Sequence, residues 1–362
     1  MRIGIIGYSF SGKTSLFNSL TGGSSNSIRK NSIGISKVPD DRIDKLIEVF
    51  NPKKITYSEI EFMDFEESLS TLSDPFIPRT VMQELQKVDQ ILIVVRSFEN
   101  HSVPHELGDL NIIRDLEKII FELAFSDIEL IDKRISRLNN DKKGLKSSDQ
   151  IKIDNMIKSL ESIQEQLEQG VLFKNIEINS LQEEAIKDTF FVSKLPIVVV
   201  VNSSNESLEQ DKNMKSLIRD NLEMINDIEI INCQLEEELN ELDTSEQVEF
   251  RKNLGAEETA VNKITKLCYH SQGLISFLTV GEDEVRSWTI INGTSAENSA
   301  AKIHSDIKKG FIRAETINYN EFIEVGSLNE SKKQGKLKQE SKIYVFSDSD
   351  IINFFIFSMN GV

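Results

Sequence analysis

The sequence predicts an α/β protein built on a doubly wound, mostly parallel sheet. A strand-length apolar run, Arg2 to Ile6, leads directly into a glycine-bounded loop and then a helical pattern. Two further apolar runs, Gln90 to Val95 and Pro196 to Val201, alternate with helical stretches. Strands that alternate with helices favour parallel pairing, because a parallel crossover needs a long connection to return the chain.

The loop after the first strand, Gly7 to Thr14, has the spacing G-x-x-x-x-G-K-T. Between a strand and a helix, this pattern binds the phosphates of a nucleoside triphosphate, because backbone N–H groups and the helix N-terminus face the anion. Lys13 is expected to reach the β- and γ-phosphate oxygens, and the Thr14 hydroxyl to bind Mg²⁺. The fold is therefore predicted to be that of a P-loop NTPase.

Asp64 ends a second predicted strand, Ile60 to Asp64. In P-loop proteins an aspartate at this edge of the sheet holds the magnesium ion through its water shell. The alternative is an ordinary turn residue at a strand end, which the position after the P-loop disfavours.

Composition limits the other possibilities. The 362 residues predict two to three domains, and a net charge of −17 argues against indiscriminate nucleic-acid binding, so no DNA partner is expected. Two cysteines, Cys233 and Cys268, form neither a disulfide framework nor a metal site, which suits a reducing cytosol. The longest apolar runs are strand-length, and no secretory signal opens the chain, so we expect a cytoplasmic protein without a membrane segment.

Between the two long apolar strands, Ile112 to Leu138 and Ile151 to Leu167 carry apolar residues at helical spacing around a polar turn. They predict an antiparallel helical hairpin inserted into the nucleotide-binding domain. Thr21 to Lys30 is expected to be a loop, and the acidic stretch Asn221 to Glu257 a surface helix.

A small α+β module is predicted to begin near Gly273. Its expected elements are strands at Leu274 to Val280, Arg286 to Ile290, Lys342 to Phe346 and Ile352 to Phe357, with a helix from Ala296 to Lys309.

These pieces resemble the YchF family of Obg-related P-loop NTPases over nearly the whole chain. The residues that carry the resemblance are Gly12 to Asn18, Val38 to Arg42, Asn51 to Lys54, Val94 to Asn100 with His105, Asp115 to Arg134, Thr279 to Thr289, Lys302 to Asp306 and Lys309 to Glu315. The resemblance implies an Obg-type G domain (1–108 and 190–276), an inserted helical domain (109–189) and a C-terminal α+β TGS, or ubiquitin-like, domain (277–362). It also implies an ATP-preferring, ribosome-associated hydrolase.

The nucleotide site implied by the resemblance has two parts. The phosphate-binding residues would be Gly7, Phe10, Ser11, Gly12, Lys13, Thr14 and Ser15, and the base would be read near Asn202, Ser203 and Asn205. Guanine-selective proteins carry N-K-x-D here, whereas this chain has Asn202-Ser203-Ser204-Asn205. Asn205 can both donate and accept hydrogen bonds, so it selects neither purine strongly, and we favour ATP over GTP.

Three departures from the family pattern bear on hydrolysis. The D-x-x-G motif becomes Asp64-Phe65-Glu66-Glu67, where Glu67 would bring a like charge toward the γ-phosphate. The following segment, Ser68 to Pro78, contains no glycine, and Ile28 occupies the place of the magnesium-binding threonine, with Ser27 or Ser32 nearby. These changes predict a slow enzyme, or one that binds without hydrolysing. His101 and His105 are expected on the surface.

A basic group in the C-terminal module is the clearest candidate partner surface. Lys302, His304, Lys308, Lys309 and Arg313 are expected on one helix and the turn after it, and Lys332, Lys333, Lys336 and Lys338 in a polar loop. Without the resemblance a solvated face is an equal alternative; with it, contact with the backbone of ribosomal or transfer RNA is favoured. The charged faces of the helical arm are a second, weaker candidate for docking.

The leading functional hypothesis is therefore a slow, Mg²⁺-dependent ATPase, alternatively a GTPase, that acts with the ribosome. The alternative is a hydrolysis-deficient nucleotide-binding adaptor of ribosome or RNA. A small-molecule kinase is disfavoured, because the arginine-rich lid segments of such enzymes are missing.

Overall fold

The computed structural model describes residues 1–22, 25–28, 31–71, 75–100, 102–204, 208–240, 242–253 and 258–357. The chain divides into two compact units. Unit 1 comprises Met1–Ile35 and Glu61–Val261, and unit 2 comprises Ser36–Ile60 and Asn262–Val362. Within the described part of the chain, no helix is both long enough and apolar enough to cross a bilayer.

The strands and helices are numbered along the chain. The strands are β1 (Arg2–Ile6), β2 (Ser25–Ile28), β3 (Asn31–Lys37), β4 (Lys54–Thr56), β5 (Glu59–Phe65), β6 (Gln90–Ser97), β7 (Ile197–Ser203), β8 (Ile228–Ile231), β9 (Leu274–Thr279), β10 (Glu284–Ile291), β11 (Phe311–Asn318), β12 (Lys338–Glu340) and β13 (Asp350–Ile356). The helices are α1 (Lys13–Thr21), α2 (Asp41–Phe50), α3 (Arg79–Leu85), α4 (Ile112–Asp141), α5 (Ser147–Glu168), α6 (Ser180–Ile186), α7 (Leu208–Asn221), α8 (Cys233–Asn240), α9 (Thr244–Asn253), α10 (Ala260–Ser271), α11 (Ala296–Ile303), α12 (Ser305–Lys309), α13 (Tyr319–Val325) and α14 (Leu328–Lys333).

Unit 1 is built on a sheet with the strand order β2-β3-β5-β1-β6-β7-β8. β1 pairs in parallel with β5 and β6, and β7 pairs in parallel with β6 and β8. The register places Ile5 opposite Asp64, and Arg96 opposite Asn202. Because the carboxyl ends of parallel strands meet at one edge, the P-loop, Asp64 and Asn202 share that edge. The predicted doubly wound, mostly parallel sheet is confirmed.

The predicted helical hairpin is also confirmed. α4 and α5 are joined by the short turn 142–146 and pack along their apolar faces, which include the buried Leu123 and Ile131 on α4 and Leu160 and Ile163 on α5. The polar faces stay exposed, as expected for an amphipathic pair.

Unit 2 is built on a mixed sheet with the strand order β12-β11-β13-β9-β10-β4. One cluster, which includes Ile43 of α2 and Phe322 of α13, is buried with Leu278 of β9. A second cluster joins Phe277 to Phe346 and to Ala296 of α11. Successive residues of β9 therefore belong to different clusters, as strand alternation requires.

Two sequence predictions for unit 1 are wrong, and a third concerns side chains outside the described residues. The expected loop Thr21 to Lys30 contains β2, and the expected surface helix at Asn221 to Glu257 contains β8, whose short apolar run pairs with β7. The side chains of Ser27 and Ile28 lie outside the described residues.

The C-terminal module differs from its predicted layout, and α13, α14 and β12 were not predicted. Lys342 to Phe346 is not a strand: the chain turns there and makes an isolated bridge between Ser295 and Val345. The run is apolar because Phe346 enters the core, with Tyr344 packed against it. β11, which was not predicted, pairs with β13 and β12. The predicted helix from Ala296 to Lys309 is interrupted at His304, whose Nδ1 accepts from Asp306 N at 3.2 Å and so caps α12.

Candidate active site

The loop between β1 and α1 is packed tightly against the neighbouring strands. A Cβ on Gly12 would lie 2.1 Å from Asn202 Nδ2, and a Cβ on Gly7 would lie 2.3 Å from the carbonyl oxygen of Val94. Gly12 also has φ +96°, a conformation that favours glycine. The two motif glycines are therefore required by close approach, and the loop backbone stays open to an anion.

Lys13 is buried at the base of this loop. Its ammonium donates to the carbonyl oxygens of Gly7 (3.1 Å) and Tyr8 (2.8 Å) and to Ser68 Oγ (2.9 Å). Burial lowers the pKa of Lys13 to about 8, and the nearby Asp64 carboxylate opposes that shift. Phosphate oxygens would supply the countercharge that a buried ammonium lacks.

Thr14 and Asp64 are brought together, as the sequence predicted. Thr14 Oγ1 donates to Asp64 Oδ2 at 2.8 Å. Burial raises the pKa of Asp64, while the Thr14 hydroxyl and Lys13 act in the opposite direction. Of the described residues, none offers a partner to the buried Asp64 Oδ1 or Ser11 Oγ. A hydroxyl and a carboxylate with an unsatisfied oxygen fit Mg²⁺, which prefers oxygen ligands, and Thr14 and Asp64 would hold it there.

The Asn202 side chain links the P-loop to the start of α8. Its Nδ2 donates to the carbonyl oxygen of Ser11 at 3.1 Å, and its Oδ1 accepts from Cys233 N at 3.1 Å. Ser203 is buried beside it. Asn205 lies outside the described residues, so its place in the site stays a prediction.

A cavity of about 490 Å³ opens at this edge of the sheet. Five of the predicted residues line it: Phe10, Gly12, Ser15, Asn202 and Ser203. The remaining lining comes from the end of β6 and the loop after it, from the residue after β7, and from the start of α8, namely Arg96, Phe98, Glu99, Asn100, Val103, Ser204, Asn232, Cys233, Gln234 and Glu237. Its volume lies in the range of small-molecule sites.

Arg96 was missed by the sequence reasoning. Its buried guanidinium donates to the carbonyl oxygens of Phe98 and Val103, both at 2.9 Å, and lies 4.6 Å from the centre of the Phe98 ring. It thus holds the loop that forms one wall of the cavity. An arginine at the end of an otherwise apolar strand was the available signal.

The segment after Asp64 differs from expectation. The Glu67 carboxylate accepts from Thr80 Oγ1 at 2.7 Å, at the start of α3, and so turns toward that helix. Leu69 N donates to the Gly7 carbonyl oxygen at 3.1 Å, which lays the segment against the P-loop. Ser68, which no motif singled out, is the residue of this segment that contacts Lys13.

The expectation that His105 lies on the surface is wrong. Its side chain is 5% exposed, and its Nε2 lies 3.0 Å from the buried Asp115 Oδ2. The ring also packs edge-on against Tyr8, next to the P-loop. His101 lies outside the described residues.

The basic residues of the C-terminal module do not share one helix and turn. Lys302 lies on α11, Lys308 and Lys309 lie on α12, and Arg313 lies on β11, where its guanidinium is 4.6 Å from the centre of the Phe355 ring. Lys308 Nζ donates to Asn298 Oδ1 at 2.8 Å. Of the second group, Lys332 and Lys333 lie on α14, Lys336 in the turn after it, and Lys338 on β12.

The chain is similar to known proteins over almost its whole length. The ribosome-binding ATPase YchF of Bacillus subtilis is 32% identical over 98% of both chains, and its namesake from Buchnera aphidicola is 33% identical at the same coverage. The chain belongs to the YchF family. The solved structure of the Schizosaccharomyces pombe YchF GTPase superposes with a TM-score of 0.81 and 26% identity, covering 98% of this chain and 97% of that one. The family model YchF-GTPase_C, described as a protein of unknown function (DUF933), matches residues 274–357.

The structural match covers both the P-loop NTPase fold and the C-terminal domain.

Proposed function

We propose that this YchF-family chain binds a magnesium–nucleoside triphosphate, ATP in preference to GTP, and hydrolyses it slowly. The observation that carries the proposal is the contact between Thr14 and Asp64 beside the P-loop lysine: Lys13 and Asp64 are buried, and the exposed Thr14 donates to Asp64 Oδ2 at 2.8 Å. The ammonium would neutralise phosphate charge, and the metal held by Thr14 and Asp64 would draw charge from the transferred phosphoryl group. The relatives named as ATPases support the same activity.

The preference for ATP rests on the residues that face the base. The sequence Asn202-Ser203-Ser204-Asn205 places no carboxylate where guanine-selective proteins carry one. Glu237, from α8, lines the same cavity and could accept a hydrogen bond from an exocyclic amine of either purine. Paired titrations with ATP and GTP test the preference directly.

The experiment for the activity combines binding with turnover. ATP and GTP are titrated in the presence of Mg²⁺, and phosphate release is then followed on the same samples, with Lys13→Ala as the control. Release that the control abolishes supports an ATPase. No release above the control, with and without ribosomes, would refute the hydrolysis.

That second result would favour a hydrolysis-deficient nucleotide-binding adaptor. The observation in favour of the adaptor is the altered segment after Asp64, which contains no glycine between Ser68 and Pro78. Turnover of many ATP molecules per chain would eliminate it.

The proposed partner is the ribosome, through RNA backbone contacts in a cytoplasmic setting. The support is the ribosome binding for which the relatives are named, and the exposed lysines of α11 and α12, Lys302, Lys308 and Lys309, together with Arg313 on β11. Co-sedimentation with ribosomes tests it. The double variant with Lys308→Glu and Lys309→Glu is expected to reduce co-sedimentation with ribosomes. Lys152→Glu, on the helical arm, measures the contribution of the arm separately.

The domain division inferred from the sequence, 1–108 with 190–276, 109–189 and 277–362, remains part of the proposal. Limited proteolysis of the full chain tests it, because cleavage is expected first in exposed segments between domains.

A further inference from the structure

Ser68 lies beside the ammonium of Lys13, the side chain expected to contact the γ-phosphate of a bound nucleotide. Its Oγ accepts from Lys13 Nζ at 2.9 Å, and the other two acceptors of that ammonium are P-loop carbonyl oxygens. In a P-loop the lysine contacts the β- and γ-phosphate oxygens. A hydroxyl within hydrogen-bond distance of Nζ is therefore within reach of the same oxygens.

Ser68 is held in place by the contacts of the residues that follow it. Leu69 is buried, its N–H donates to the Gly7 carbonyl oxygen at 3.1 Å, and it forms a parallel bridge with Tyr8. Glu106 Oε1 then accepts from Ser70 Oγ and from Thr71 N, both at 2.6 Å. These attachments fix the segment against the P-loop before any nucleotide arrives, which reduces the cost of ordering it on binding.

The Ser68 hydroxyl has a hydrogen-bond donor available for a ligand. A serine hydroxyl has one donor and two acceptor positions. Ser68 Oγ accepts from Lys13, and across the described ranges its own O–H makes no hydrogen bond. Glu67, the nearest carboxylate in sequence, is engaged with Thr80. The segment therefore presents a neutral donor beside Lys13 instead of a negative charge.

We propose that Ser68 donates a hydrogen bond to the γ-phosphate and takes the place of the glycine N–H expected after Asp64. The proposal rests on the proposed function, because it needs a nucleoside triphosphate in the P-loop. It makes Ser68 the residue by which this chain distinguishes a triphosphate from a diphosphate. Ser68, one residue after Glu67, thus compensates for the γ-phosphate contact that the glycine N–H would have made.

The test compares two ligands that differ in the γ-phosphate. Mg²⁺–ADP and the magnesium complex of the non-hydrolysable β,γ-imido analogue of ATP are titrated by calorimetry into the wild type, Ser68→Ala and Ser68→Thr. Ser70→Ala is the matched control, because it removes a hydroxyl from the same segment that contacts Glu106 and not Lys13. Ser68→Ala is expected to bind the analogue about tenfold more weakly, or about 1.4 kcal/mol, and to bind ADP within about twofold of the wild type, since ADP lacks the group that Ser68 contacts.

Ser68→Thr, which keeps the hydroxyl, is expected to retain the wild-type preference. Equal losses for both ligands, or the same loss in Ser70→Ala, would show that Ser68 only stabilises the segment. Tighter binding of the analogue by Ser68→Ala would show that Ser68 competes with nucleotide for Lys13. Either result overturns the proposal.

The outcomes separate this inference from the proposed function. A wild type that binds neither ligand removes nucleotide binding and the role of Ser68 together. A wild type that binds both and releases no phosphate from ATP removes hydrolysis alone, and the ratio of the two affinities still decides the role of Ser68.

Discussion

Asp127 offers the sharpest test of how burial and hydrogen bonding compete in this fold. The side chain is fully buried on α4, where Oδ1 accepts from Val192 N and Oδ2 from Ser193 N, both at 2.8 Å. It thereby anchors the turn that leads into β7. We expect Asp127→Asn to change the pH dependence of stability in a defined direction.

The size of this change in stability follows from the shift in the pKa of Asp127. Burial raises the pKa of Asp127 from 3.8 to about 6, and the hydrogen bonds from Ser193 and Val192 work against that rise. Between the two values the folded chain binds the proton more tightly than the unfolded chain. The stability contributed by protonation is therefore fully present below about pH 4 and is lost as the pH rises through about 6, a change of about 3 kcal/mol.

The assay is urea unfolding at pH values between about 4 and about 7, followed by far-UV circular dichroism, with amide exchange of Val192 and Ser193 as the local measurement. The stability of the wild type relative to Asp127→Asn is expected to fall as the pH rises. Asp132→Asn, exposed on the same helix, is the control. A wild-type-to-variant difference that is constant across this range would refute the reasoning, because it would mean that the two N–H donors fully offset burial and leave the pKa unshifted.

Three further predictions concern the nucleotide site. Gly12→Ala is expected to abolish ADP binding in calorimetric titration, because its Cβ would lie 2.1 Å from Asn202 Nδ2; wild-type affinity would contradict the packing argument. Asn202→Ala should weaken nucleotide binding about tenfold through the loss of two hydrogen bonds, and a similar effect in the control Ser204→Ala would point to a general loosening of the wall. Asp64→Asn should reduce about tenfold the gain in ATP affinity that Mg²⁺ provides, while metal-free binding stays unchanged. The reason is that the variant leaves Thr14 beside a neutral amide in place of a carboxylate. If a chelator weakens ATP binding equally in the variant and the wild type, Asp64 is not part of the metal site.

The central sheet and the phosphate site were predictable because their signals are local. Lys13, Thr14 and the two glycines lie in one motif, and β6 and β7 are continuous apolar runs buried on both faces. The unpredicted strands are different. β11 alternates charged with apolar residues, and its Glu315 is buried in the fold; a buried carboxylate in a strand has no signature in the sequence itself.

The contacts around Ser68 and Arg96 could not be read from the sequence for another reason. Each depends on where a loop lies in space: Ser68 meets a lysine 55 residues earlier in the chain, and Arg96 binds backbone carbonyl oxygens that every residue possesses. The prediction of a strand at Lys342 to Phe346 was wrong for the opposite reason: its strand-like pattern arises from side-chain burial, while its backbone makes only an isolated bridge.

The two-segment construction of unit 2 has a consequence for how the chain is made. β4 pairs with β10, with Lys54 opposite Glu284, and Ile43 and Leu46 of α2 are buried with Phe322. During synthesis, residues 36–60 are therefore complete long before their partners have been translated. The apolar face of α2 must stay uncovered while some two hundred further residues are added, a situation that slows folding and invites aggregation. A fragment that ends before Asn262 would lack the residues that cover this face, including Leu278 and Phe322.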